Sequence, residues 1–143
     1  MLFPSREWCQ AAAEAMLRDP SVVSAIADFG PVVAGVVIGR GGGLESDFCV
    51  LARIQPGKPI RLEFPEDEDE LEALEPDYIG FAPYALCRQQ LEVALAGGRP
   101  DPLRPILERK VRLRGDLERL VKHAGRHQGA GLDALRSLST EFV

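Results

Sequence analysis

The chain contains no run of about 18 apolar residues, so no helix of it is expected to cross a membrane. Its first residues, Met1 to Glu7, carry neither a basic stretch nor a long apolar one, and are not read as a secretory signal. Cysteine is scarce. Cys9, Cys49 and Cys87 are an odd number without short spacing, which excludes a full disulfide framework and a Cys-x-x-Cys motif. Each lies in an apolar, periodic stretch, and buried reduced thiols of a cytoplasmic protein are expected. No internal repeat and no linker is visible, so residues 1–143 are read as one domain. There is no Gly-x-Ser-x-Gly elbow, and no cysteine has a histidine beside it. Nucleophilic catalysis therefore has no support, and no enzyme is expected.

What is present is ordinary globular chemistry. Hydrophobic residues make up 45% and charged ones 27%, which excludes a disordered chain, a collagen and a coiled-coil rod. A chain of 143 residues is long enough for a core without disulfides or a structural metal. Charge is unevenly placed. Seven of the 22 acids fall between Glu66 and Glu75, while the segment from Arg99 to Arg126 holds nine basic residues against four acids. The net charge of −5 argues against nucleic acid as a partner. The basic segment is suited to an anionic head group or a transient contact with an anionic membrane.

The apolar pattern predicts the elements. Ser5 caps a helix over 6–18 with Trp8, Ala12, Ala15 and Met16 on one face. Asp19-Pro20 ends it and opens the next, over 20–29, with Val22, Val23, Ile26 and Phe29 inward. Valine-rich 32–38, then 47–54 and 60–64, read as three strands joined by short turns and hence as an antiparallel meander. The acidic stretch offers only Leu71, Ala73 and Leu74 for packing, and reads as a surface loop or weak helix. Residues 78–81 make a fourth strand, 83–96 a helix, and Asp101-Pro102 opens a short helix holding Leu103, Ile106 and Leu107. Val111 and Leu113 mark a short strand. Gly115-Asp116 opens a helix with Leu117, Leu120, Val121 and Ala124 on one face, and Leu132, Leu135, Leu138 and Phe142 line a last helix. The sum is an α+β architecture, a sheet with helices on one face.

Two local features invite chemistry. His123 and His127 stand at i, i+4 and could share a metal, but a third ligand is needed, and neither Glu118 nor Glu141 is demanded by the pattern. They are read as solvated residues at a helix end, with no metal and no cofactor. The glycines at 39 and 41–43 are followed by a strand and lack a Lys-Ser or Lys-Thr pair, so they read as a hairpin turn and not as a phosphate loop. The aliphatic C-terminal helices read either as a filled core or as the wall of a ligand cavity.

The segment from Asp77 to Leu120 resembles the sterol carrier protein 2, or non-specific lipid-transfer, family. The resemblance is carried by the strand into Gly80-Phe81-Ala82-Pro83-Tyr84, the helix closed by Gly97-Gly98, the Asp101-Pro102 pair, and Lys110-Val111-Arg112-Leu113-Arg114 running into Gly115-Asp116-Leu117. Phe3-Pro4-Ser5-Arg6-Glu7-Trp8 is similar to the start of bacterial stand-alone members. The resemblance implies a five-stranded, mostly antiparallel sheet with helices on one face and an apolar tunnel between them. The chain ends Glu141-Phe142-Val143 without the peroxisomal address of animal members, and the acidic insert is foreign to the pattern. A bacterial cytosolic setting is expected, with a fatty acid, acyl thioester or other long apolar molecule as ligand in place of a sterol.

On this reading Ile38, Val50, Ile60 and Leu62 form the sheet wall. Leu91, Ile106, Leu117, Leu120, Val121, Leu132, Leu135, Leu138 and Phe142 form the helix wall. Lys110, Arg112 and Arg114 hold the head group, or else form a solvated strand face turned to the acidic segment. The last helix is expected to be the gate, because a terminus opens at least cost. The competing reading is an interaction or oligomerisation module, such as a homodimer, with a filled core.

Overall fold

The computed structural model describes residues 1–143. Strands β2 (Val32–Gly39), β3 (Phe48–Ile54) and β4 (Arg61–Glu63) form the expected meander. The acidic segment folds as helix α3 (Glu68–Ala73) and carries the chain back to β5 (Tyr78–Pro83), which therefore pairs parallel to β2. Strand β6 (Arg112–Arg114) joins β5 antiparallel, so the sheet runs β4-β3-β2-β5-β6. It is a mixed sheet with one parallel pair. The unbroken apolar run of β2 has its cause in this position: it is the central strand, with Val37 buried in the cluster on one face and Ile38 in the core on the other.

One face is covered by α3. Val37, Cys49, Leu51 and Ile79 form a cluster with Leu71, and both Leu51 and Leu71 are 0% exposed. The acidic segment is thus no mere surface loop. Asp67 caps α3 by accepting from the Glu70 amide, the acids point to solvent, and one leucine anchors the whole. Gly35 on β2 makes the room, since a Cβ there would stand 2.9 Å from Leu71 Cδ1. The expectation that all helices share one face is corrected accordingly.

The other face carries α1 (Arg6–Leu17), α2 (Pro20–Phe29), α4 (Tyr84–Leu95), α5 (Arg104–Leu107), α6 (Leu117–Arg126) and α7 (Leu132–Arg136). Ser5, Asp19 and Asp116 cap α1, α2 and α6 with their side chains, as the sequence predicts. Asp101 accepts from the amides of Leu103 and Arg104, but α5 opens at Arg104 and not at Pro102. The core here is Phe3, Trp8, Ala12, Ile38, Tyr84 and Leu91, with Leu135, Leu138 and Phe142 packed against it.

The chain ends meet. Leu2–Phe3 (β1) and Glu141–Phe142 (β7) pair as a parallel two-stranded sheet. The expected final helix through Phe142 therefore stops at Arg136. The Met1 ammonium donates to the Ser139 carbonyl at 2.9 Å, Trp8 Nε1 to Thr140 Oγ1 at 2.9 Å, and the Tyr84 hydroxyl to the Val143 backbone oxygen at 3.1 Å. A segment held at so many points is not the cheapest to open, which removes the reason for a C-terminal gate.

Candidate functional site

The helix-side floor of the sheet is built from small side chains. Val50, Val36, Gly80 and Leu113 stand in one row across β3, β2, β5 and β6, and Ala34 and Ala82 flank it on the two inner strands. Val36 sits mid-sheet, where burial is the norm, yet it is 38% exposed beside Val37 at 4% and Ile38 at 6%.

Helix α6 docks on α2 through its polar side. Arg119 donates to the Phe29 carbonyl and stacks on the Phe29 ring, His123 Nε2 lies 2.8 Å from the Ala25 carbonyl, and Arg126 and His127 both meet Asp28. The apolar stripe lies on another side of the helix, and no residue of α6 is buried. Leu117 and Val121 remain 42% and 39% exposed. A stripe that would ordinarily be the docking face is left available.

Ala124 ends that stripe in the wall of a cleft of about 780 Å³. Ala82 forms its floor, with Leu86, Cys87 and Gln90 from α4 on one side and Ala124, Gly125 and His127 from α6 on the other. Leu103, Pro105, Leu107 and Val111 close it from above, and Leu132 from the C-terminal side. Pro100 and Pro102 keep the stretch before α5 from running as a regular helix, and Pro105 sits in the first turn of α5, where its missing amide hydrogen is tolerated. Leu107 is 77% exposed and forms an apolar lip. The volume lies within the roughly 300–1,000 Å³ of small-molecule sites. Burial raises the Cys87 thiol, so it lines the wall as a neutral group.

The polar rim has one cation without an ion-pair partner, Arg99. Its guanidinium lies against Gly129, where a Cβ would stand 3.8 Å from Arg99 Cζ. Arg136 fixes the chain just before it, donating to the Ala94 and Gly98 carbonyls at 2.8 and 2.9 Å. Asp101 also lines the rim, but one of its carboxylate oxygens is taken by the Leu103 and Arg104 amides.

Of the thirteen residues expected to line a tunnel, only Leu132 lines this cleft. Ile38, Leu91, Leu135, Leu138 and Phe142 are spent in the core. Val50 and Leu62 lie half-buried on the helix-side face, and Ile60 just before β4 is likewise half-buried. Ile106 is half-buried beside Pro105, and Leu117, Leu120 and Val121 belong to the α6 stripe. The head-group cluster is dispersed and does not face the cleft. Arg112 and Arg114 stand opposite Phe81 and Ile79, on the α3 face. Arg112 stacks on Phe81 at 4.6 Å, Arg114 pairs with Glu72 of the acidic segment, and Lys110 pairs with Glu108 at 3.0 Å. The alternative of a strand face turned to the acids holds for Arg114. The sequence does not mark Leu86, Leu103, Pro105, Leu107 and Arg99 as residues lining a cleft, and the cluster of three prolines was the available signal.

No family model matches the sequence, and no curated protein matches it. The fold does match. A conserved hypothetical protein of Thermus thermophilus, suggested to be a sterol carrier protein, superposes with a TM-score of 0.67 at 13% identity, over 96% of this chain and 90% of that one. A crystal structure of sterol carrier protein 2 gives 0.65 at 14% identity, over 94% and 98%. Apo sterol carrier protein 2 from Yarrowia lipolytica gives 0.52 at 8% identity, over 90% and 88%. The chain has the sterol-carrier-protein fold. No helix in it is long and apolar enough to cross a membrane.

Proposed function

We propose, starting from the sterol-carrier-protein fold and the cleft between α4 and the end of α6, that this protein is a non-catalytic carrier of a long apolar molecule with an anionic head. The observation that carries the reading is the cleft of about 780 Å³ lined by Ala82, on the same sheet face where Val36 is 38% exposed. The tail lies along Val36, the α6 stripe and the cleft walls. The head sits at the rim beside Arg99, the one rim cation free of an ion pair. A fatty acid or an acyl thioester fits this description. Binding here is burial. Each methylene moved out of water contributes about 0.8 kcal/mol, so ten contribute roughly 8 kcal/mol before ordering costs of about 4 kcal/mol or more.

The test pairs a long-chain fatty acid with the alcohol of equal length, each displacing a fluorescent fatty acid from the full chain. Arg99→Gln is expected to weaken the acid about tenfold and leave the alcohol unchanged, as loss of a charge-assisted contact would. Equal loss of both refutes the head-group assignment. Failure of the wild type to take up either ligand, together with a clean apo mass and a defined dimer, refutes the carrier reading and favours an interaction module.

A further inference from the structure

Helix α6 meets α2 through three side chains that are also metal donors. His123 and His127 stand one turn apart on α6, and Asp28 faces them from α2. Their donor atoms lie within 4.8 Å of one another. The imidazole rings are 4.6 Å apart between centroids and tilted by 36°. His123 Nε2 lies 2.8 Å from the Ala25 carbonyl. A carbonyl only accepts, so Nε2 carries the proton and Nδ1 keeps its lone pair free. A ring nitrogen held by a backbone carbonyl is the support that metal-binding histidines usually have, because it fixes tautomer and orientation. His127 Nε2 lies 2.8 Å from Asp28 Oδ2, and its side chain is only 19% exposed. The third donor leaves no mark in the sequence, because Asp28 is far from His123 in the chain and only the α2–α6 packing brings it in.

We infer that Asp28, His123 and His127 form a site for a first-row divalent transition ion that clasps α6 to α2. Two imidazoles and one carboxylate, with positions left for water, are a donor set for borderline ions such as Zn²⁺ and unsuited to Ca²⁺ or Mg²⁺, which prefer oxygen alone. The ion takes the place of the proton that His127 shares with Asp28. Arg126 opposes it. Its guanidinium reaches Asp28 Oδ2 at 2.9 Å, but the side chain is 56% exposed and can swing into solvent. Arg126 therefore acts as a resident counter-ion that sets the affinity. The site adjoins the cleft, since His127 lines both. Loading it fixes the cleft wall that α6 provides.

The experiment is calorimetric titration of the untagged full chain with Zn²⁺ alone near neutral pH. One equivalent is expected, with the thermal midpoint rising as Zn²⁺ is added. His123→Ala and His127→Ala each abolish the uptake. Arg126→Gln tightens it roughly tenfold, because a unit positive charge no longer faces a divalent ion at close range. That gain keeps the inference testable even where a histidine variant folds poorly. Co²⁺ in place of Zn²⁺ gives weak visible bands without an intense thiolate band, which separates the site from Cys9 and Cys87. Absence of saturable uptake at micromolar Zn²⁺, uptake that survives both histidine variants, a thiolate band, or weakening by Arg126→Gln overturns the inference.

Discussion

Leu71→Ala tests how far one leucine holds the acidic helix to the sheet. Leu71 is 0% exposed and belongs to a cluster with Val37, Cys49, Leu51 and Ile79, and no other residue of α3 is buried. The substitution removes an isopropyl group from a closed site. Such changes cost about 2–5 kcal/mol, and a well-enclosed site near the middle of that range implies roughly 3–4 kcal/mol. In a domain whose total stability is of order 5–15 kcal/mol that is a large share. At about 2–4 °C per kcal/mol for a chain near this size, the thermal midpoint falls by roughly 10 °C. Gly35→Ala alone is also destabilising, because its Cβ would meet Leu71 Cδ1 at 2.9 Å. In the double variant Leu71→Ala, Gly35→Ala the added methyl occupies part of the vacated space, so the two losses are less than additive. Urea melts of the four proteins measure this directly. Both residues lie on the sheet face away from the cleft, so fatty-acid binding of the folded variants stays at the wild-type level. A loss under about 1 kcal/mol for Leu71→Ala, or strict additivity in the double variant, refutes the anchoring argument.

Three further outcomes follow from the same geometry. Val36→Trp places an indole on the exposed middle of the helix-side sheet face, and abolishes uptake of a fluorescent fatty acid while the fold, read by circular dichroism, is kept. Thr140→Val leaves the buried Trp8 Nε1–H without an acceptor, and lowers stability by about 1–3 kcal/mol in chemical denaturation, whereas Thr140→Ser is near neutral. The His127 hydrogen bond, followed by that from Arg126, holds the Asp28 carboxyl below its ordinary 3.8. Its folded value is depressed, so its contribution is present above that ordinary value and is lost as pH falls through the folded one. Asp28→Asn therefore flattens the acid limb of the thermal midpoint as pH falls below the ordinary carboxylate value of 3.8, and changes its shape little above.

Much of the architecture was legible because it rests on local rules. The Asp19-Pro20 and Gly115-Asp116 pairs place helix starts by capping, and alternation around Ile60 and Leu62 places an edge strand. The misses have physical causes too. Leu71 was visible as a residue able to pack, but its full burial on the second face of the sheet was not, because a single anchor has no period. The pairing of Leu2–Phe3 with Glu141–Phe142 is too short to leave a pattern and is set by tertiary contact. The stripe of α6 was plain in the sequence. Its exposure was not, because amphipathicity names an apolar face and does not say whether protein or ligand covers it. The cleft is lined by Pro100, Pro102 and Pro105, where no periodicity exists to read.

The most direct measurement is methyl-resolved NMR of the full chain titrated with a saturated long-chain fatty acid. The account predicts saturable shifts at Val36, Leu86, Leu103, Val121 and Leu132, with Val37, Leu51 and Leu71 across the sheet left still. Shifts centred on Leu51 and Leu71, or no saturable shift at all, would contradict it.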